Sequence, residues 1–129
     1  MNLSGKRILV AEDEVLVGLL LEDALLQHDC TVIGPMATLD QTLEAARALP
    51  LDAAILDRNL YGVDVLPAAE ILFARGIPLL FCSGYGEDSR LPPHLRAVPV
   101  LHKPYLEAGV IAAVSGLLLG ARTLPRIAR

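Results

Sequence analysis

Tryptophan is missing from these 129 residues, and Tyr and Phe together bring the aromatic share to only 4%. A platform of stacked rings for single-stranded nucleic acid is therefore excluded. Positive charge is scarce as well. Eleven Lys and Arg stand against 15 Asp and Glu, and the net charge of −4 has the wrong sign for binding a phosphate backbone. Arg122, Arg126 and Arg129 gather at the end of the chain and read as a short solvated tail, so no nucleic-acid partner is expected. Long apolar runs are absent too: the longest uncharged stretch, Ala108 to Ala121, falls short of the ~20 residues that span a bilayer and is broken by Gly and Ser. The opening MNLSGKRILVAEDE meets acids too early to form a secretory signal. A cytoplasmic protein with no membrane attachment is the expectation. Cys30 and Cys82 lack metal-ligand spacing and are read as small buried residues.

What is present is a 53% hydrophobic chain of a length suited to one domain. Short apolar runs alternate with helical patterns. RILVA at 7–11 stops at Glu12-Asp13-Glu14, and a helix follows in which Val15, Leu19, Leu20 and Leu26 set the apolar rhythm. TVIGPMA from Thr31 leads to Thr38, placed as an N-cap, and to a helix through Leu39, Leu43, Ala46 and Leu49. DAAIL at 52–56 ends at Asp57; a loop with Asn59 and Gly62 precedes a helix closed by Gly76. PLLFC at 78–82 is a fourth strand, after which Pro92-Pro93 leaves the fourth helix short or poorly formed. VPVLH, Lys103-Pro104 and a long apolar helix from about Leu106 to Ala121 complete the chain. Five strands alternating with helices imply a doubly wound parallel sheet covered on both faces. The domain is assigned to residues 1–121, with 122–129 as the basic tail.

In such a sheet, ligands bind at the carboxyl ends of the strands. Glu12 and Asp13, Asp57, Ser83 and Lys103 occupy four of those ends, while the strands themselves carry almost nothing ionisable. A single acid or serine after a strand is usually a loop or capping residue; the joint pattern is what points to a site. Clustered carboxylates resist full ionisation unless a cation sits among them, and Mg²⁺ suits hard oxygen ligands that also approach a phosphate. Asp13 and Asp57 are assigned as direct ligands and Glu12 as one acting through water. Asp57 is the candidate nucleophile toward a phosphoryl group, with Lys103 and Ser83 contacting its oxygens.

These residues are those by which the sequence resembles the response-regulator receiver family, from about Lys6 to Gly120. ILVAEDE at 8–14 resembles the family's acidic-pair segment, and ILDRNLYGVD at 55–64 the segment around the phosphoacceptor. The resemblance implies a flavodoxin-like (βα)₅ fold of strand order 2-1-3-4-5. It also implies phosphorylation of Asp57, a metal bond from the Asn59 backbone carbonyl, a switch role for Ser83, and a cis peptide at Lys103-Pro104. PLLFCSGYG at 78–86 is similar to the FATGUY variant of the family. Val100 stands where many receivers carry a switching Tyr or Phe. The partner implied is a histidine kinase, of the HWE or a related type, and the chain is expected to signal by contact as a stand-alone receiver rather than to act as an enzyme.

Three other readings differ in their demands. A haloacid-dehalogenase-type phosphatase needs Asp-x-Asp at the end of strand one, where Glu12-Asp13 stands. A flavodoxin-like FMN carrier needs a first loop that welcomes phosphate, which three acids do not. A phosphorylation-independent interaction module would not require the full set of site residues. His28, His94 and His102 have no company suggesting a site, whereas Arg58, Asn59 and Tyr85 lie where they could tune the access of hydrolytic water. The segment Gly84–Val98 is expected to be the most mobile. On the last helix, Leu106, Val110, Ala113, Val114, Leu117 and Ala121 form one stripe for the sheet, and Ile111, Leu118 and Leu119 fall outside it. That second apolar face is the expected contact for a homodimer or a regulatory protein.

Overall fold

The computed structural model of the protein describes residues 2–84 and 90–123, with side chains through Gly120. Tyr85, most of the 84–98 segment's first half and the tail from 124 onward lie outside the described residues. Five parallel strands, β1 (Arg7–Ala11), β2 (Thr31–Met36), β3 (Ala53–Asp57), β6 (Leu79–Ser83) and β7 (Val100–His102), form a sheet of order β2-β1-β3-β6-β7. This is the expected 2-1-3-4-5 order. The intervening numbers belong to a two-residue pair, β4 (Asn59–Leu60) and β5 (Val63–Asp64), which close an antiparallel hairpin just after Asp57. The hairpin stands where the sequence pattern predicts only a loop.

Alternation along the strands divides the core into two layers. Ile8, Val10, Ile55, Leu80 and Cys82 face α1 (Val15–Leu26) and α4 (Glu107–Thr123). Leu9, Ala11, Leu56 and Phe81 face the other way, toward α2 (Leu39–Ala48) and α3 (Leu66–Ala74). Both cysteines are buried and free. Thr38 caps α2, its side chain accepting from the Gln41 N–H, and Gly76 follows α3 at φ +74. Gly34, inside β2, has φ +113, and a Cβ there would sit 2.5 Å from the Val10 carbonyl oxygen, so both conformation and space require glycine.

Two helices present other faces than their sequences suggested. In α1 the buried residues are Gly18, Leu21, Ala24 and Leu25, while Val15, Leu16, Leu19, Leu20 and Leu26 are exposed. The helix is apolar nearly all round, so periodicity could not choose the face. In α4 the core stripe is Val110, Val114 and Leu118, flanked by Ile111, Ala113 and Leu117. Leu118 thus belongs inside, and Leu106, expected inside, precedes the helix and is 80% exposed. The helix also continues through Arg122 and Thr123, past the expected boundary at 121. Among the described residues between β6 and β7 there is one 3-10 turn, Pro93–Leu95, which buries Leu95. Beside it a groove of about 560 Å³ runs between Phe73, Val98 and Leu117. Among the described residues no helix is long and apolar enough to cross a membrane.

Candidate functional site

At the carboxyl edge, four of the five strands deliver a polar residue at or just after their ends to one pocket. Glu12 follows β1 and is fixed there by its N–H, which donates to the Met36 carbonyl at 2.9 Å. Its carboxylate is buried, with Oε2 accepting from the Glu14 N–H at 3.1 Å. Asp57, the last residue of β3, is buried as well; its Oδ1 accepts from the Asn59 N–H at 3.1 Å. From the far side, Lys103 donates to Asp57 Oδ2 at 2.8 Å. The same Nζ lies 3.2 Å from Glu12 Oε1 and 3.2 Å from Glu14 Oε1. The peptide between Lys103 and Pro104 is cis, as the resemblance implied, and the Lys103 N–H donates to the Ser83 carbonyl at 2.9 Å. Ser83 is buried at the end of β6, its hydroxyl 3.3 Å from the Gly84 carbonyl.

Burial and mutual repulsion set the charges here. Glu12 is pushed up to about 8, first by burial and then by the hydrogen bond and charge it shares with Asp57, although Lys103 pulls the other way. Burial alone would lower Lys103, but its bonds and charge contacts with Asp57 and Glu12 outweigh that and hold it above the ordinary lysine value. Behind the pocket, burial pushes the Cys82 thiol up to about 12 and raises Tyr105 beside it.

Glu12, Asp13, Glu14 and Asp57 each offer an oxygen, and all four oxygens lie within 4.8 Å of one another. Glu12 Oε1 is buried without a hydrogen-bond partner. Its charged neighbour is the Lys103 ammonium at 3.2 Å, which Asp57 and Glu14 share, so the cluster still carries more carboxylates than cations. The donor set is all hard oxygen and therefore fits Mg²⁺. Of the residues read from sequence, Glu12, Asp13, Asp57 and Lys103 come together, and Ser83 joins them through Lys103. Asn59 is tied in by its N–H on Asp57, while its side-chain Oδ1 accepts from the Gly62 N–H at 2.6 Å.

Three neighbours were not assigned such places from sequence. Glu14 shares Lys103; its acidity was plain beside Glu12-Asp13, but the lysine's reach was not. Arg58 has its guanidinium 5.4 Å over the Phe81 ring and 3.4 Å from both Asp64 Oδ2 and the Arg90 carbonyl. Tyr61, in the hairpin turn, donates its N–H to Asp13 Oδ2 at 2.8 Å. His94 lies far from the pocket, bonded to Glu70 and edge-on to Phe73.

Comparison with solved structures places this arrangement. SdrG from Sphingomonas melonis superposes with a TM-score of 0.76 at 39% identity, covering 92% of this chain and 99% of that one. The chain belongs to the response-regulator receiver family. A second SdrG structure, of its BeF₃-activated conformation and attributed to Pseudomonas melonis, gives 0.71 at 40% identity over 89% of this chain and 98% of that one. The receiver domain of the response regulator PhyR from Erythrobacter litoralis gives 0.76 at 25% identity, covering 95% and 96%. No family model matches the sequence, and no curated protein matches it. Receivers are signalling modules rather than enzymes in the ordinary sense, and this receiver carries an acidic cluster able to take a cation.

Proposed function

We propose that this receiver, residues 1–121 with a short basic tail, accepts a phosphoryl group on Asp57 from the phosphohistidine of a histidine kinase. The observation that carries the reading is Asp57 itself, a buried carboxylate among three other acids with Lys103 at 2.8 Å. In the transfer, the P–N bond of the donor breaks as a P–O bond to Asp57 forms, and the electron pair stays on the imidazole nitrogen. Such transfers need mainly positioning and charge stabilisation. Asp13, Asp57 and the Asn59 carbonyl would hold Mg²⁺, with Glu12 acting through water; the ion supplies positive charge against the incoming oxygens. Lys103, already bonded to Asp57, is placed to follow a phosphoryl oxygen, and the Ser83 hydroxyl to take another.

Output then passes through contacts of the receiver. Val100 cannot act as a rotating aromatic, in keeping with a FATGUY-type receiver, and with Leu118 buried and Ile111 packed on the core, the side of α4 that exposes Leu119 is the proposed face for a homodimer or a regulatory protein. A kinase of the HWE or a related type would approach over the pocket mouth, where Val15, Leu16 and Leu106 are exposed. Incubation with acetyl phosphate and Mg²⁺ should add one phosphoryl mass to the wild type and none to Asp57→Asn. Equal labelling of that variant would overturn the assignment, and steady turnover of p-nitrophenyl phosphate would favour a phosphatase instead.

A further inference from the structure

Tyr61 holds an unusual conformation for its residue type. Its φ is +52, and with Gly62 at +81 it makes the tip of the β4–β5 hairpin. Hairpin turns of this hand favour Asn, Asp or Gly, so a tyrosine here is strained where a glycine would not be. The fold uses the backbone of this residue, since the N–H donates to Asp13 Oδ2 at 2.8 Å. Any residue other than proline could supply that bond. The ring belongs to neither core layer and is 67% exposed. Its hydroxyl reaches 3.5 Å from the Asp13 backbone carbonyl, which lays the ring along the pocket rim beside the acidic cluster.

In-line transfer to Asp57 puts the leaving group on the far side of phosphorus, toward the open mouth. Tyr61 is on that rim. We propose that the Tyr61 ring is a specificity-determining contact for an imidazole leaving group, favouring phosphoimidazole donors over acyl phosphates. The inference rests on Asp57 being the phosphoacceptor. When its second nitrogen bears a proton, the ring of a phosphorylated imidazole is a flat, positively charged group attached to the phosphoryl anion, and the face of an aromatic ring attracts positive charge. The P–N bond breaks, the P–O bond to Asp57 forms, and the departing neutral imidazole keeps the electron pair and its proton. The leaving group of an acyl phosphate is a carboxylate, which gains nothing from the ring face.

The test compares labelling rates with monophosphoimidazole and acetyl phosphate, both with Mg²⁺, for wild type, Tyr61→Phe, Tyr61→Ala and Tyr61→Gly. The expected result is a ratio of phosphoimidazole to acetyl phosphate rates that falls about two- to fivefold in the Ala and Gly variants and stays near wild type in the Phe variant. Tyr61→Gly relieves the backbone strain, so it keeps the test valid if Tyr61→Ala folds poorly. An unchanged ratio in the Gly variant would overturn the proposal, as would a Phe variant that loses as much as Ala, since the hydroxyl on Asp13 would then be the active part. Failure of both donors to label wild-type Asp57 would instead remove the reading on which the proposal rests.

Discussion

Lys103 Nζ lies 2.8 Å from Asp57 Oδ2, joining β3 to the residue after β7 across the strand that separates them. The same ammonium lies within 3.2 Å of Glu12 and Glu14, so one cation offsets several carboxylates. Replacing it with Met should leave buried charge without its partner and lower metal-free stability by ~3 kcal/mol. Chemical denaturation with and without Mg²⁺ checks this, and the metal should restore part of the loss. A variant as stable as wild type without Mg²⁺ would show that the acids are neutralised in another way.

The protonation of Glu12 sets a pH window. Its folded value of about 8 stands above the ordinary 4.5, so the folded state keeps a proton that the unfolded chain has released. That contribution to stability is complete below about 4.5 and is lost as pH rises through 8. Metal-free unfolding at a series of pH values should show stability declining across this window, and Glu12→Gln should flatten the decline. Saturating Mg²⁺ should flatten it as well, because a bound cation favours the carboxylate.

Metal binding should itself be visible as stabilisation. At 100 times its dissociation constant, Mg²⁺ would add ~2.7 kcal/mol by mass action, which raises the melting temperature by several degrees. Asp13→Asn should shrink that rise, whereas substitution of the distant Asp40 should not. An undiminished rise in Asp13→Asn would place the ion elsewhere.

Leu118 within α4 and Leu106 just before it test which apolar residues of this segment reach the core. Leu118→Ala opens the core and should cost ~2–4 kcal/mol, whereas Leu106→Ala should change stability by less than ~0.5 kcal/mol. Equal costs in urea unfolding would contradict the buried stripe described above.

Two glycines make a sharper contrast. Gly34→Ala would drive a Cβ to within 2.5 Å of the Val10 oxygen and 2.7 Å of the Met36 nitrogen at a positive φ, with an expected loss of at least ~2 kcal/mol. Gly116→Ala meets nothing within 4 Å in the middle of α4 and should gain up to ~1 kcal/mol. Thermal melts of the pair decide the matter.

Much of this could be read in advance because chain chemistry and position coincide. The five strands are short apolar runs, four of them ending at or just before polar residues, so Asp57, Ser83 and Lys103 announced both the sheet and its polar edge. Thr38 and Gly76 gave two helix ends by local bonding alone. Helix faces were harder, since VLVGLLLEDALL in α1 offers apolar residues in every direction and only packing against Pro35 and β1 selects Gly18 and Leu21. The hairpin at 59–64 has no sequence signature because its turn places Tyr61 where Asn, Asp or Gly is the rule. Glu14 was visible as an acid, but its partner lies 89 residues away, at a distance no local pattern reports.

The alternation of the strands has a further effect at their polar ends. Asp57 is in phase with Ile55, which faces α1 and α4, whereas Ser83 is in phase with Phe81, which faces α2 and α3. The two residues therefore belong to opposite sides of the sheet and meet only where the strands stop. A group bonded to both would act as a rivet through the molecule's thickness, so that its arrival on one side is felt by the helices of the other.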